Sequence, residues 1–232
     1  MDFAQNLSAM KVYLPFREPQ VGKDYWIEDN VLHNPMEVAE RCISKNIWTL
    51  GSPWRSVAWP GMRAHNALTQ EELSRVEECV KKGLDIKEIF PQSHPETGTS
   101  SHNNIQIVGG EDGVARPHVD SAKICDIAGV LYLHPNPPTQ HCGTSFYRLH
   151  LPGEPLGGNI CPKEYESLSQ VPGFPQEAEP TMFEEILEVK YVFNRLVAYK
   201  SNLIHSASSY FGWGHELAAK RMAAVFFWKV KE

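Results

Sequence analysis

Apolar positions fall at helical spacing in parts of the first hundred residues, and beyond residue 103 they gather into short runs and alternations suited to strands. Asn34-Pro35 supplies an N-cap residue followed by proline at the first helical position, and Val38, Ala39, Cys42 and Ile43 then recur on one face. A second helix is marked by Thr69 and Glu72, spaced as a capping box. Leu68 and Leu73 are placed as a hydrophobic staple, and Leu73, Val76 and Val80 line one face. Gly83 is the expected stop of that helix. The stretch WRSVAWPGMR, residues 54–63, reads as irregular or extended.

Downstream, strands are predicted at 104–108, 128–133, 144–149, 189–193, 195–200 and 223–230, with turn residues such as Gly109-Gly110-Glu111-Asp112-Gly113 between them. Several short strands with regular turns imply a β-sandwich or barrel. Residues 152–188, rich in Pro, Gly and acidic residues, read as an excursion with a helical turn at 162–169, the kind of segment that serves as a lid. No internal repeat or low-complexity segment is present.

Composition narrows the class. The 232 residues are 42% hydrophobic and 22% charged, with six Trp, eight Tyr and ten Phe, which suits a globular chain with a sizeable core. A net charge of -6 with scattered basic residues argues against nucleic acid as a partner. No apolar run reaches the length of a membrane span, so no membrane association is expected. The five cysteines form no CxxC pair, and MDFAQNLSAMKVYLPF lacks the basic and apolar regions of a signal peptide. Reduced thiols and a cytoplasmic location are therefore expected.

The chemistry-bearing residues are His118, Asp120, His205 and Arg221. In His118-Val119-Asp120, an extended backbone directs positions i and i+2 to one face, so both side chains can reach one metal. His118 alone is equally a turn histidine at a strand end. His205 opens the segment that follows Asn194-Arg195-Leu196-Val197-Ala198-Tyr199-Lys200, and Arg221 leads the apolar strand RMAAVFFWKV, where a strand-edge charge is the plain alternative.

HVD at 118–120, AGVLYLH at 128–134, CGTSFYRL at 142–149, NRLVAYKSNLIH at 194–205 and RMAAVFFW at 221–228 together resemble the double-stranded β-helix oxygenases that use iron and 2-oxoglutarate, nearest the prolyl-hydroxylase-like branch. The resemblance spans roughly residues 103–230 and keeps the order of all five blocks. It implies an α+β, mainly β fold: a jelly-roll core over 103–232 with the 152–188 insertion, and N-terminal helices from a mixed support region, 1–102, packed against it as a single domain.

The resemblance further implies that His118, Asp120 and His205 hold Fe(II), leaving adjacent positions for 2-oxoglutarate and O2. Such enzymes convert 2-oxoglutarate to succinate and CO2 and hydroxylate a C–H bond, with ascorbate as a possible support. The resemblance places Arg221 on the distal carboxylate of 2-oxoglutarate, with Lys220 on the opposite face of the strand. Tyr132 then stands as the second contact to that carboxylate, against the alternative of a packed tyrosine.

Three positions depart from the pattern: His134 replaces an asparagine and reads as a turn residue, Cys142 replaces a glycine, and Ala223 stands where a small hydroxyl residue often occurs. The substrate implied is an amino acid, a peptide or an amino-acid-derived metabolite. Pocket candidates are the 54–63 stretch, the 120–126 loop, the 152–188 excursion and the Tyr210–Trp213 loop, with Arg55, Lys123 and Trp213 singled out. The competing classes are a β-helix binding module without chemistry, and a zinc hydrolase, for which HExxH is missing. Halogenation is disfavoured because Asp120 occupies the carboxylate position.

Overall fold

A computed structural model of the chain describes residues 14–98, 100–150, 156–175 and 178–231. Its elements are β1 (Tyr25–Glu28), α1 (Pro35–Ile43), β2 (Thr49–Leu50), β3 (Met62–His65), α2 (Gln70–Leu84), β4 (Ile89–Phe90), β5 (Asn104–Val108), β6 (Ile127–Tyr132), β7 (Thr144–Leu149), β8 (Phe183–Val189), β9 (Leu196–Lys200), β10 (His205–Ala207) and β11 (Arg221–Val230). No helix among the described residues is long and apolar enough to cross a membrane.

Two antiparallel sheets face one another. The larger runs β1-β9-β6-β11-β5-β3-β2, with β4 paired to the far end of β11, and the smaller runs β10-β7-β8. An isolated antiparallel bridge joins His118 to His205, so the chain at 118 lies along the edge of β10 away from β7. From β5 onward the chain therefore passes repeatedly between the sheets. β5, β6, β9 and β11 lie in the larger one; the segment at 118, β7, β8 and β10 lie in the smaller one. This is a double-stranded β-helix.

Strand alternation divides the larger sheet into two working faces. Ile105, Ile107, Leu131, Leu196, Met222, Ala224, Phe226 and Trp228 face outward and pack on Val38, Cys42, Leu73, Val76 and Val80 of the two helices. Ala128, Tyr132, Val197, Tyr199 and Ala223 face inward, toward Phe146, Val189 and Leu203. The helices thus back the sheet and hold it rigid, and the inner face is left for a site.

The capping box forms as expected: the Thr69 hydroxyl accepts from Glu72 N, and Glu72 accepts from Thr69 N at 2.8 Å. Asn34, by contrast, makes no side-chain cap bond. Gly83 is not the stop of α2. The helix continues to Leu84, and Asp85 takes the left-handed cap conformation, with φ 53°. Gly83 is required instead because Trp26 packs on it; a Cβ there would lie 2.2 Å from Trp26 Cγ.

The strand expected at 189–193 is also corrected. The apolar residues there belong to the end of β8 and a turn closed by Asn194 at φ 64°, whose side chain clasps both backbone groups of Leu32. The excursion read over 152–188 runs into β8, and in place of the helical turn at 162–169 it has a short 3-10 turn at Leu168–Gln170; residues 151–155 and 176–177 lie outside the described residues. The region before residue 103 also contributes strands, with β1 on one edge of the larger sheet and β3 and β2 on the other.

Candidate metal centre

The bridge between His118 and His205 is closed by two backbone hydrogen bonds of 2.9 Å, and Asp120 N donates to Ser201 O at 2.9 Å. These backbone ties place three side chains on one point: one ligand atom from each of His118, Asp120 and His205 lies within 4.8 Å of the others. Each imidazole is also oriented. His118 Nδ1 is 2.8 Å from Arg116 O, and His205 Nδ1 is 2.7 Å from Leu203 O. A carbonyl oxygen only accepts, so each Nδ1 carries the proton and each Nε2 presents a lone pair, as a metal requires.

His118 Nε2 lies 3.8 Å from Asp120 Oδ1, and His205 Nε2 lies 3.3 Å from Asp120 Oδ2. The second distance is short, yet Oδ2 is buried without a hydrogen-bond partner, since a His205 ring protonated at Nδ1 has no proton on Nε2 to donate. Acceptors that converge without donors between them suit a cation. Burial pushes the Asp120 carboxyl up, but His205, His118 and Arg63 together hold it below its ordinary value. Burial, and then His205, lowers the His118 pKa, which favours the neutral ring. Exposure of the side chains rises from 4% at His205 through 18% at Asp120 to 54% at His118. His118 is therefore the ligand most open to solvent, with His205 the deepest.

Arg221 stands at the head of β11 and is 5% exposed. Its Nε donates to Cys142 O at 2.8 Å and Nη2 to Gly143 O at 3.1 Å, and the rings of Tyr132, Tyr191 and Tyr210 surround it at 5.6 to 5.9 Å. Among the described residues no carboxylate pairs with it. Lys220 points the other way, to Glu111 at 2.9 Å and Asp112 at 3.3 Å. Tyr132 is fully buried, its hydroxyl 2.7 Å from Thr144 Oγ1 and its ring stacked on Tyr191 at 4.3 Å. Burial pushes its pKa up to about 12, so the phenol stays protonated. Tyr199 connects the two regions: its ring is 4.5 Å from that of His205, and its ionisation feels both Asp120 and Arg221.

Gly143 makes this arrangement possible, since a Cβ there would lie 1.9 Å from Val189 O. Cys142, beside it, does not occupy the left-handed region, so a glycine is not needed at that position. His134 is a buried turn residue bonded to Ala218 O at 2.9 Å, not a member of the metal cluster. His102, in the turn before β5, packs edge-on against Trp228 at 5.4 Å.

Of the other pocket candidates, Arg55 is exposed and Lys123 is held on the surface by Glu96 and Glu166. Trp213 is 73% exposed, with its ring against Gly110, while Phe211 in the same loop is buried against His134 and Tyr191. Arg63 and Tyr210 fall inside the 54–63 and 210–213 segments expected to line a pocket, though neither is singled out there, while Thr144 and Gln106 are given no role by sequence. The sequence signal for Arg63 is its polar place in Met62-Arg63-Ala64-His65, an alternation that β3 realises.

Comparison with known proteins places the chain without supplying an activity. Residues 18–210 match the profile of DUF6445, a family of unknown function, and the chain belongs to that family. No curated protein matches it. Among solved structures, a prolyl hydroxylase from Trichoplax adhaerens in complex with a hypoxia inducible factor oxygen degradation domain peptide fragment is similar at 13% identity. It has a TM-score of 0.45, over 89% of this chain and 83% of that one. AviO1 from Streptomyces viridochromogenes Tue57 is similar at 14% identity, with a TM-score of 0.48 over 89% of each chain.

Proposed function

We propose that this member of DUF6445 is an Fe(II)- and 2-oxoglutarate-dependent oxygenase. The observation that carries the reading is the His118, Asp120 and His205 cluster, with both imidazoles locked by their Nδ1 bonds and Asp120 Oδ2 left without a donor. Two imidazoles and a carboxylate on one side of a metal leave adjacent positions open, as non-haem iron(II) sites do. Arg221 adds a cation whose bidentate fork suits the distal carboxylate of 2-oxoglutarate, with the Tyr132 and Thr144 hydroxyls beside it.

When bound, iron and 2-oxoglutarate would allow O2 to act as the oxidant, one oxygen atom leaving in succinate with release of CO2 and the other entering the substrate C–H bond. The chain's own residues do the rest. His118, Asp120 and His205 fix the metal, Arg221 orients the co-substrate, and the apolar wall of Phe146, Val197 and Leu203 keeps water from the interior. The substrate class we attach to the reading is an amino acid, a peptide or an amino-acid-derived metabolite, hydroxylated at a C–H bond.

The test is anaerobic loading with Fe(II) and then 2-oxoglutarate, followed by air. A visible charge-transfer absorption on adding 2-oxoglutarate, and succinate release on admitting air, are expected. Metal binding without either signal would return the chain to the class of β-helix binding modules.

A further inference from the structure

Arg63 is a second guanidinium facing the same cavity, and its position follows from register. Across the larger sheet Arg63 pairs with Gln106, Gln106 with Ala223, and Ala223 with Tyr132. Directly paired residues share a face, so Arg63 and Gln106 lie on the inward side with Tyr132, as does Arg221, two positions before Ala223 on β11. Gln106 is fixed by Nε2 donating to Pro60 O at 3.0 Å, which turns its Oε1 toward Arg63 Nη2 at 3.2 Å. The guanidinium carbon lies 4.5 Å from the centre of the Trp59 ring. Arg63 Nε is buried with no hydrogen-bond partner, and among the described residues no carboxylate pairs with Arg63.

A guanidinium held by a neutral amide and an aromatic face, with an orphaned donor, is prepared for an anion that the described residues do not supply. Arg63 and Asp120 each influence the other's ionisation, so this cation sits within electrostatic reach of the metal ligands. Burial pulls the Arg63 pKa down to about 10, and the group remains charged at neutral pH. Tyr210 feels both Arg63 and Arg221, and its ring lies 5.9 Å from the Arg221 guanidinium carbon. The formal charges are uneven. With Fe(II), Asp120, dianionic 2-oxoglutarate and Arg221 the cavity is neutral, and Arg63 leaves one positive charge unmatched.

We propose that Arg63 anchors the substrate through a carboxylate, with Gln106 and Trp59 holding the guanidinium in place. The class of substrate is a monocarboxylate: the C-terminal end of a peptide, or a free amino acid whose ammonium group is held at the solvent side and so leaves only the carboxylate to match Arg63. Its apolar part meets the rim where the 52–60 loop, the 109–114 turn and Trp213 converge. There Pro60 packs on Gly113 and the Trp213 ring on Gly110. This inference deepens the oxygenase reading and rests on it for the charge balance.

Ligand-observed NMR on the full chain, loaded with Zn(II) and 2-oxoglutarate to prevent turnover, separates the possibilities. The probes are free L-amino acids, N-acetyl amino acids, and the amides of both sets, measured against wild type, Arg63→Gln, Arg63→Lys and Arg221→Gln. Carboxylates should bind wild type and their amides should not; binding by the free or by the N-acetyl set distinguishes amino acid from peptide terminus. Arg63→Gln should weaken the carboxylates by about 30-fold or more while changing 2-oxoglutarate affinity less than about threefold. Arg221→Gln should do the reverse, and Arg63→Lys should fall between wild type and Arg63→Gln.

The proposal is overturned if no carboxylate binds, if amides bind equally well, or if the Arg63 variants match wild type. It is overturned as well if Arg63→Gln, and not Arg221→Gln, loses 2-oxoglutarate. Carboxylates that depend on Arg63 in a protein that binds neither metal nor 2-oxoglutarate would support the anchor and remove the oxygenase reading alone.

Discussion

Replacing Arg221 by glutamine separates binding from folding in a way the structure makes quantitative. In the free protein the guanidinium donates at 2.8 and 3.1 Å to the carbonyls of Cys142 and Gly143, and among the described residues no carboxylate offsets its buried charge. The variant leaves those carbonyls short of donors, at about 1–3 kcal/mol for each buried group left unsatisfied. Removing an unpaired buried cation works in the opposite direction. The net loss should be about 1–2 kcal/mol, or a fall of roughly 2–8 °C in Tm for a chain of this size.

Binding of 2-oxoglutarate has no such compensation. A carboxylate that loses its charged, hydrogen-bonded partner costs about 2–5 kcal/mol, which is roughly 30- to 5000-fold in Kd. The assay is isothermal titration of 2-oxoglutarate into anaerobic Mn(II)-loaded protein, with Mn(II) titrated separately. Lys220→Ala is the control. It should destabilise by on the order of 3 kcal/mol, because buried Asp112 loses its cation, yet leave 2-oxoglutarate affinity unchanged. A Kd shift below about threefold in Arg221→Gln, or an equal loss of Mn(II) affinity, would refute the assignment of Arg221 to the co-substrate.

Three further outcomes are expected. His118→Ala and His205→Ala should each abolish stable Fe(II) or Mn(II) binding, measured by anaerobic titration, while circular dichroism remains that of a folded β protein; unchanged affinity in both would dismiss the triad. Gly143→Ala should lower Tm and 2-oxoglutarate affinity together, because a Cβ 1.9 Å from Val189 O forces the turn before β7, whose carbonyls hold Arg221, away from the end of β8. Asp126 should make an acid-dependent contribution to stability. Burial raises its pKa, but Lys229, the amide of Val230 and Lys163 outweigh burial and leave it below the ordinary 3.8. A depressed folded pKa gives stability that is fully present above the unfolded value and lost as pH falls through the folded one. Chemical denaturation of Asp126→Asn should therefore fall behind wild type above the ordinary carboxyl pKa and approach it as the pH is lowered further, and a constant gap across an acid titration would contradict the linkage.

What was legible in the amino-acid order depends on whether local spacing or long-range register places a residue. His118-Val119-Asp120 could be read directly, because two positions on an extended strand share a face whatever lies around them. The capping box of α2 and the strands at 104–108 and 144–149 were legible for the same local reason. Val189 to Phe193 misled because Tyr191 is buried in a turn: its hydroxyl reaches Met222 O at 2.6 Å, so an apolar pattern arises without a strand. Gly83 misled because its purpose is the Trp26 ring, on a distant element.

Arg63 lies furthest from local rules. Its inward orientation exists only because β3 pairs with β5 across 43 residues of sequence, in the register that sets Arg63 opposite Gln106. A slip of one residue would turn Met62 into the cavity and Arg63 onto the helix-packed face. Met62 now packs on that outer face with Ile107 and Met222, and exposing it while burying a guanidinium there would be costly twice over. The helix-backed core thus specifies the register, and the register delivers the second cation to the cavity. A core substitution that loosened β3, such as Ala64 to a larger residue, should disturb the carboxylate anchor before it disturbs His118, Asp120 or His205, whose placement depends on β10 and the bridge at 118.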